Sequence, residues 1–216
     1  KLQFIFLFFI SLSLVVSVFA DDNFNNELTK ARSLVEQKSY SQALEIYVSI
    51  SVGLRKDPGL IIEWARVYTY ADNHAEAIKL FDEVRLMHAE RSDEIARELA
   101  DQYRWNGQKI QALQIYDQIL QLQPDNQDAL MAKADILSLE DRLEESYALY
   151  QKILDKNPEN LNALNSQAKI LVWQGYHRQG IKRYEEILKK YPKNPDSIEG
   201  LAFALHWLGD DVGAVE

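Results

Sequence analysis

The sequence predicts an all-α fold, a right-handed superhelical solenoid of helix-turn-helix repeats. Three observations predict it. Pro124, Pro158 and Pro192 stand 34 residues apart, twice. Upstream of each lies an aromatic residue in one register: Tyr116, Tyr150 and Tyr184. A small residue recurs at Ala31, Ala65, Ala100, Ala134, Ala168 and Ala202, in steps of 34, 35, 34, 34 and 34. A fixed period of this length marks stacked supersecondary units, none of which can bury its apolar face alone.

The elements follow in chain order. Lys1 opens a run from Leu2 to Phe19 dominated by Phe, Leu, Ile and Val, and Val18-Phe19-Ala20 closes it. A basic start, an apolar stretch and a small residue at the exit read as a secretory signal over 1–20, leaving a mature array over 21–216 that begins at Asp21; the alternative is an uncleaved membrane anchor, which Ser11, Ser13 and Ser17 weaken. The repeat register divides that array into units 24–57, 58–92, 93–126, 127–160 and 161–194, with a partial unit at 195–216.

Each unit reads as two amphipathic helices, with apolar residues at three and four spacing, as in Leu130, Ala134 and Leu137. A second small position falls at Ala43, Ala77, Ala112, Ser146, Gly180 and Ala214. Small residues belong where two helices cross. The large aromatics Tyr47, Phe81, Tyr116, Tyr150 and Tyr184 belong in the gap to the next unit. Asn106-Gly107, Gln174-Gly175 and Leu208-Gly209 mark turns, glycine supplying the left-handed conformation that ends a helix. Lys38, Asp72 and Asp141 replace that glycine, and Arg55 and Ala89 replace the closing proline. Those turns are expected to be less sharply fixed. Asp210 to Glu216 enters the second helix of a repeat and stops, so the register implies further sequence C-terminal to it.

Period, small residues, aromatics and prolines together resemble the tetratricopeptide repeat family over about 24–216. Trp105-Asn106-Gly107, Trp173-Gln174-Gly175 and Trp207-Leu208-Gly209 are further similar to periplasmic repeat regions attached to Gram-negative outer-membrane barrels, including exporters of exopolysaccharide.

Composition narrows the function. The formal net charge of -9 has no basic stripe, which argues against nucleic acid. The chain holds no cysteine, which excludes disulfides, thiolate metal sites and cysteine nucleophiles. No HExxH, P-loop, GxSxG or GxGxxG sequence occurs. His74 and His177 occupy one repeat position three repeats apart and read as solvated turn residues, not as metal ligands. Glu144-Glu145 and Glu185-Glu186 read as solvated helix faces. No catalysis, cofactor or metal is expected.

The candidate site is a column of aromatic residues. Tyr70, Trp105, Trp173 and Trp207 share one repeat position, with Leu139 completing it. The family resemblance implies that first helices line a concave groove and that this position faces it. It places Arg66, Arg97, Arg104, Asp135, Asn165 and Lys169 beside the column. Two readings stand side by side. The rings are core packed against their own turns, or they are a ladder suited to an extended peptide or to sugar rings.

The function expected is a non-catalytic periplasmic binding scaffold in a cell-envelope assembly, guiding a polysaccharide to an outer-membrane barrel. The alternatives are an adaptor that binds a peptide or envelope protein, and a helical region appended to an enzyme.

Overall fold

The computed structural model describes residues 22–213, with side chains through residue 209. The signal segment 1–20 and the small position Ala214 lie outside the described residues. Those residues form helix pairs: α1 (22–36) with α2 (Tyr40–Ser49) and α3 (Ser51–Leu54), then α4 (Pro58–Tyr70) with α5 (His74–Met87). They continue as α6 (Ser92–Trp105), α7 (Lys109–Leu122), α8 (Gln127–Leu139) with α9 (Leu143–Lys156), α10 (Leu161–Trp173) with α11 (His177–Lys190), and α12 (Pro195–Gly213). Among the described residues there is no strand. Two compact units result, one ending at Gln108 and one beginning at Lys109.

Short polar side chains start the helices. Asp57 accepts the Gly59 N–H at 2.7 Å, ahead of Pro58 in the first helical turn. Asn126 and Asn160 accept from Ala129 N–H and Ala163 N–H at 3.0 and 3.1 Å, and Asn194 accepts from Ser197 N–H at 2.8 Å. Each such cap is worth about 1 kcal/mol.

The turns between paired helices end in one geometry. Gly107 and Gly175 adopt φ of 76° and 81°, and Lys38, Asp72 and Asp141 adopt 59°, 54° and 59°. The expectation of looser turns at these three residues is therefore corrected. The reason is a shared backbone closure: Ser39, Asn73 and Arg142 donate to the carbonyls of Leu34, Tyr68 and Leu137 at 2.8, 2.9 and 2.9 Å, as Tyr176 donates to Leu171 at 2.8 Å. This six-to-one bond holds the left-handed residue whatever its side chain.

Two further departures have local causes. The 35-residue step is absorbed by a 3-10 turn at Ala89–Arg91, where the proline is replaced. Helix α12 continues through Leu208-Gly209 to Gly213, so the expected turn at Gly209 does not form. Gly209 lacks a positive φ, and a helix accommodates an interior glycine at a cost of about 0.5–1 kcal/mol.

In the unit ending at Gln108, Ala31, Ala43, Ala65, Ala77 and Ala100 are fully buried, as are Tyr47 and Phe81. Arg55, standing where a proline would close the repeat, bonds Glu83 at 2.9 Å and lies over the Trp64 ring at 5.4 Å. In the unit beginning at Lys109, Tyr116, Tyr150 and Tyr184 are buried, with Ala112, Ala134, Ser146, Ala168 and Gly180 at the crossings. Ser146 donates to the Ala134 carbonyl at 2.7 Å, so its hydroxyl costs little there. Ala202 does not follow this pattern: it is exposed, and Ala204 takes the buried position on α12.

Candidate functional site

The first helices of the repeats carry a charged rung in the unit ending at Gln108. Arg32 on α1 donates to both carboxylate oxygens of Glu63 on α4, at 2.8 and 2.6 Å. Arg66 on α4 does the same to Glu98 on α6, at 2.9 and 2.7 Å. Arginine follows the small alanine of one repeat, and glutamate lies two residues before the small alanine of the next. The Tyr47 hydroxyl adds a bond of 2.6 Å to Glu63. Burial alone would raise the Glu63 pKa, but the hydrogen bonds from Arg32 and Tyr47 outweigh it and hold the carboxyl below its usual range. Burial and the Glu63 carboxylate push the Tyr47 hydroxyl up.

The aromatic column lies at the surface. Tyr70 is 54% exposed, Trp105 49%, Trp173 40% and Trp207 45%, with Leu139 at 68%. These residues are not core, and each ring has company. Tyr40 stacks on Tyr70 with centroids 5.7 Å apart, and His74 stacks on Trp105 at 5.5 Å. His74 Nδ1 also lies 2.9 Å from Gln102 Oε1, so this histidine is packed and hydrogen-bonded, not simply solvated as the sequence suggested. Arg104 lies over the Trp105 ring at 5.4 Å and pairs with Asp101 at 3.5 Å. Lys169 Nζ lies 4.4 Å from the Trp173 centroid. Trp207 touches Phe203 at 5.9 Å and His206 at 6.3 Å.

In the unit beginning at Lys109, the rung positions are filled differently and the face opens. Asp135 and Ser166 stand where Arg32 and Glu63 stand, and Lys169 and Gly200 form the next rung. No arginine–glutamate pair bridges α8, α10 and α12. In its place is a cavity of about 610 Å³, lined by Asp135, Asn162, Ser166, Lys169 and Trp173, and by Asp196, Glu199, Gly200 and Phe203 of α12. A volume of this size is ample for a side chain and its flanking backbone.

The floor of the cavity is fixed by buried groups. The Tyr150 hydroxyl donates to Asp135 at 2.6 Å, and burial followed by that carboxylate pushes its pKa up. Tyr184 lines the opening, and burial pushes its hydroxyl up to about 12. It reaches the opening because Gly200 has no side chain: a Cβ there would lie 2.3 Å from the tyrosine Cζ. Asn165 is held by α12, accepting from the Ser197 hydroxyl at 2.6 Å and donating to Asn194 at 3.2 Å. It positions the helix bearing Asp196 and Glu199.

Of the residues expected at a ligand surface, Lys169 and Trp173 line this cavity together. Tyr70, Arg66, Arg104 and Trp105 belong to the other unit, and Arg66 is committed to Glu98. Trp207 lies on α12 but does not line the cavity. Asp196, Glu199 and Phe203 were not anticipated. Among the described residues no group of three His, Asp or Glu is placed to hold a metal ion, and no helix is long and apolar enough to cross a membrane.

Within each unit, antiparallel helix pairs with small residues at the crossings, buried aromatics between them and left-handed turns define a class of fold, the helical repeats. The tetratricopeptide repeat family matches residues 106–170, and the fold is shared with solved proteins of that kind. One similar structure is a tetratricopeptide repeat protein from Parabacteroides merdae, with TM-score 0.75 and 18% identity over 89% of this chain and 76% of that one. MamA from Desulfovibrio magneticus is similar with TM-score 0.68 and 13% identity, over 80% of this chain and 97% of that one. YrrB, described as a tetratricopeptide repeat protein with an unusual peptide-binding site, is similar with TM-score 0.64 and 14% identity, over 80% of this chain and 89% of that one. No curated protein sequence matches.

Proposed function

We propose that this chain is a non-catalytic scaffold that binds a segment of a protein partner in the cavity between α8, α10 and α12. One observation carries the reading. The arginine–glutamate rung that bridges neighbouring first helices in the first unit is absent from the second, and an opening of about 610 Å³ lies at its position. Polar side chains and exposed rings line the opening, the mixture that orients a ligand and buries its apolar part. The peptide-binding site named for YrrB supports the same choice of partner. The leader read over 1–20 supports an exported scaffold in the periplasm, serving a cell-envelope assembly.

The test is a displayed library of twelve-residue peptides selected on the chain, with the best binder measured by fluorescence anisotropy. Trp173→Ala is expected to weaken it at least tenfold, whereas Trp105→Ala and Tyr70→Ala leave it unchanged. Loss confined to the Trp105 and Tyr70 variants would place the site elsewhere. Selection of no peptide, with an oligosaccharide panel bound through Trp173, would make the polymer reading the right one.

A further inference from the structure

The charges lining the cavity are unbalanced, and this imbalance points to the chemistry of the occupant. Asp135, Asp196 and Glu199 face one cation, Lys169. Asp135 is engaged by the Tyr150 hydroxyl, and Lys169 rests on the Trp173 ring. Asp196 and Glu199 make no ion pair among the described residues. They stand three apart on one helix, where like charges repel. Elsewhere in the chain that spacing is used for opposite charges: Glu76 with Lys79, Arg91 with Glu94, Arg142 with Glu145 and Arg183 with Glu186. An acidic pair of this kind, beside the aromatic faces of Phe203 and Trp173, is complementary to a cation carried on an apolar stem.

We infer that the cavity selects a basic side chain, arginine or lysine, within the bound peptide segment. This deepens the proposed function and rests on it. The stem of the side chain lies along Phe203, Val172 and Met131, and the charged head meets Asp196 and Glu199. The head finds hydrogen-bond acceptors there, and the aromatic faces attract it through their quadrupoles. Lys169 sits at the other wall, drawn onto Trp173, and keeps a second basic residue away. Asn162 and Ser166 offer hydrogen bonds to the flanking backbone. The chain's own acid excess adds long-range attraction for a basic segment, which salt screens.

The experiment uses the full chain, labelled with 15N, and follows the indole N–H resonance of Trp173, assigned from Trp173→Phe. The probes are Nα-acetyl-arginine amide and Nα-acetyl-glutamine amide, which differ in charge but share a polar tip. The arginine probe is expected to shift the indole resonance saturably, and the glutamine probe at least tenfold more weakly. The double variant Asp196→Asn/Glu199→Gln is expected to abolish the difference, and 300 mM salt to reduce it. Equal response to the two probes, or no response to either, would overturn the inference. Should the selected twelve-residue peptide bind through Trp173 yet contain no basic residue, the groove reading survives and the basic preference fails. Should neither that peptide nor the probes engage Trp173, both fail together.

Discussion

The turn residues offer a stability test whose magnitude follows from backbone geometry alone. Lys38 and Gly175 fill the same turn position in different repeats, with φ of 59° and 81°. A residue with a Cβ loses about 1–2 kcal/mol in the left-handed region. Lys38→Gly relieves that cost, offset by about 0.4–1 kcal/mol for the greater freedom of glycine in the unfolded chain. The net expectation is a gain of about 0.5–1 kcal/mol, from the same two principles. Gly175→Ala runs in reverse. A Cβ built on Gly175 meets no heavy atom within 4 Å, so no clash adds to the backbone strain. The loss is again about 0.5–1 kcal/mol. The two sites share no partner, so the effects should add in the double variant. Urea midpoints at unchanged slope measure both, and each kcal/mol moves the thermal midpoint by about 2–4 °C at this size. Destabilisation by Lys38→Gly, or no effect of Gly175→Ala, would refute the left-handed closure.

Other expectations concern the core, the caps and the rung. Tyr150→Ala removes a buried ring and should cost about 3–5 kcal/mol in urea unfolding; a loss below 1 kcal/mol would place the ring at the surface. Asn160→Ala deletes the bond to Ala163 N–H and should cost about 1 kcal/mol, with Asn160→Asp largely retaining it. Glu63 has a folded pKa below its unfolded value near 4.3, so its contribution is complete above that value and vanishes as pH falls through the folded one. Glu63→Gln should therefore lower the thermal midpoint at pH 7, and the gap should close as pH falls from the unfolded value through the lower folded one. A constant gap across that range would mean the carboxylate is not the stabilising group.

Much of this fold is legible in the sequence, because one period repeats in several residue types at once. Tyr47, Tyr116, Tyr150, Tyr184 and the described periodic alanines other than Ala202 are buried, and Gly107 and Gly175 mark left-handed turns. What escaped was set by contacts that a period does not reveal. Lys38, Asp72 and Asp141 hold the glycine geometry because backbone bonds close over them. The asparagine caps carry a signal of their own, Pro-x-Asn at Pro124, Pro158 and Pro192. Arg32 and Arg66, with Glu63 and Glu98, also recur at the repeat spacing, and their pairing across neighbouring repeats was there to be found.

The cavity was harder to foresee, since it arises from the loss of that pair. Ser166 and Gly200 are unremarkable residues until compared with Glu63. Trp173 belongs to the aromatic column and Lys169 to the positions beside it, whereas Asp196, Glu199 and Phe203 entered only with the placement of α12. The exposure of Tyr70, Trp105, Trp173 and Trp207 could not be read from spacing either, because one position at the end of a helix serves core and surface equally well.

If the second unit binds a peptide through its open rung, closing that rung should abolish binding. Asp135→Arg/Ser166→Glu rebuilds beside Tyr150 the arrangement that Arg32, Glu63 and Tyr47 form in the first unit. The measurement is the affinity of the selected peptide for this double variant, beside its helical circular dichroism and thermal midpoint. The outcome expected is an intact fold, a midpoint no lower than that of the parent chain, and affinity reduced at least tenfold. A well-folded variant that binds the peptide as the parent chain does would contradict it.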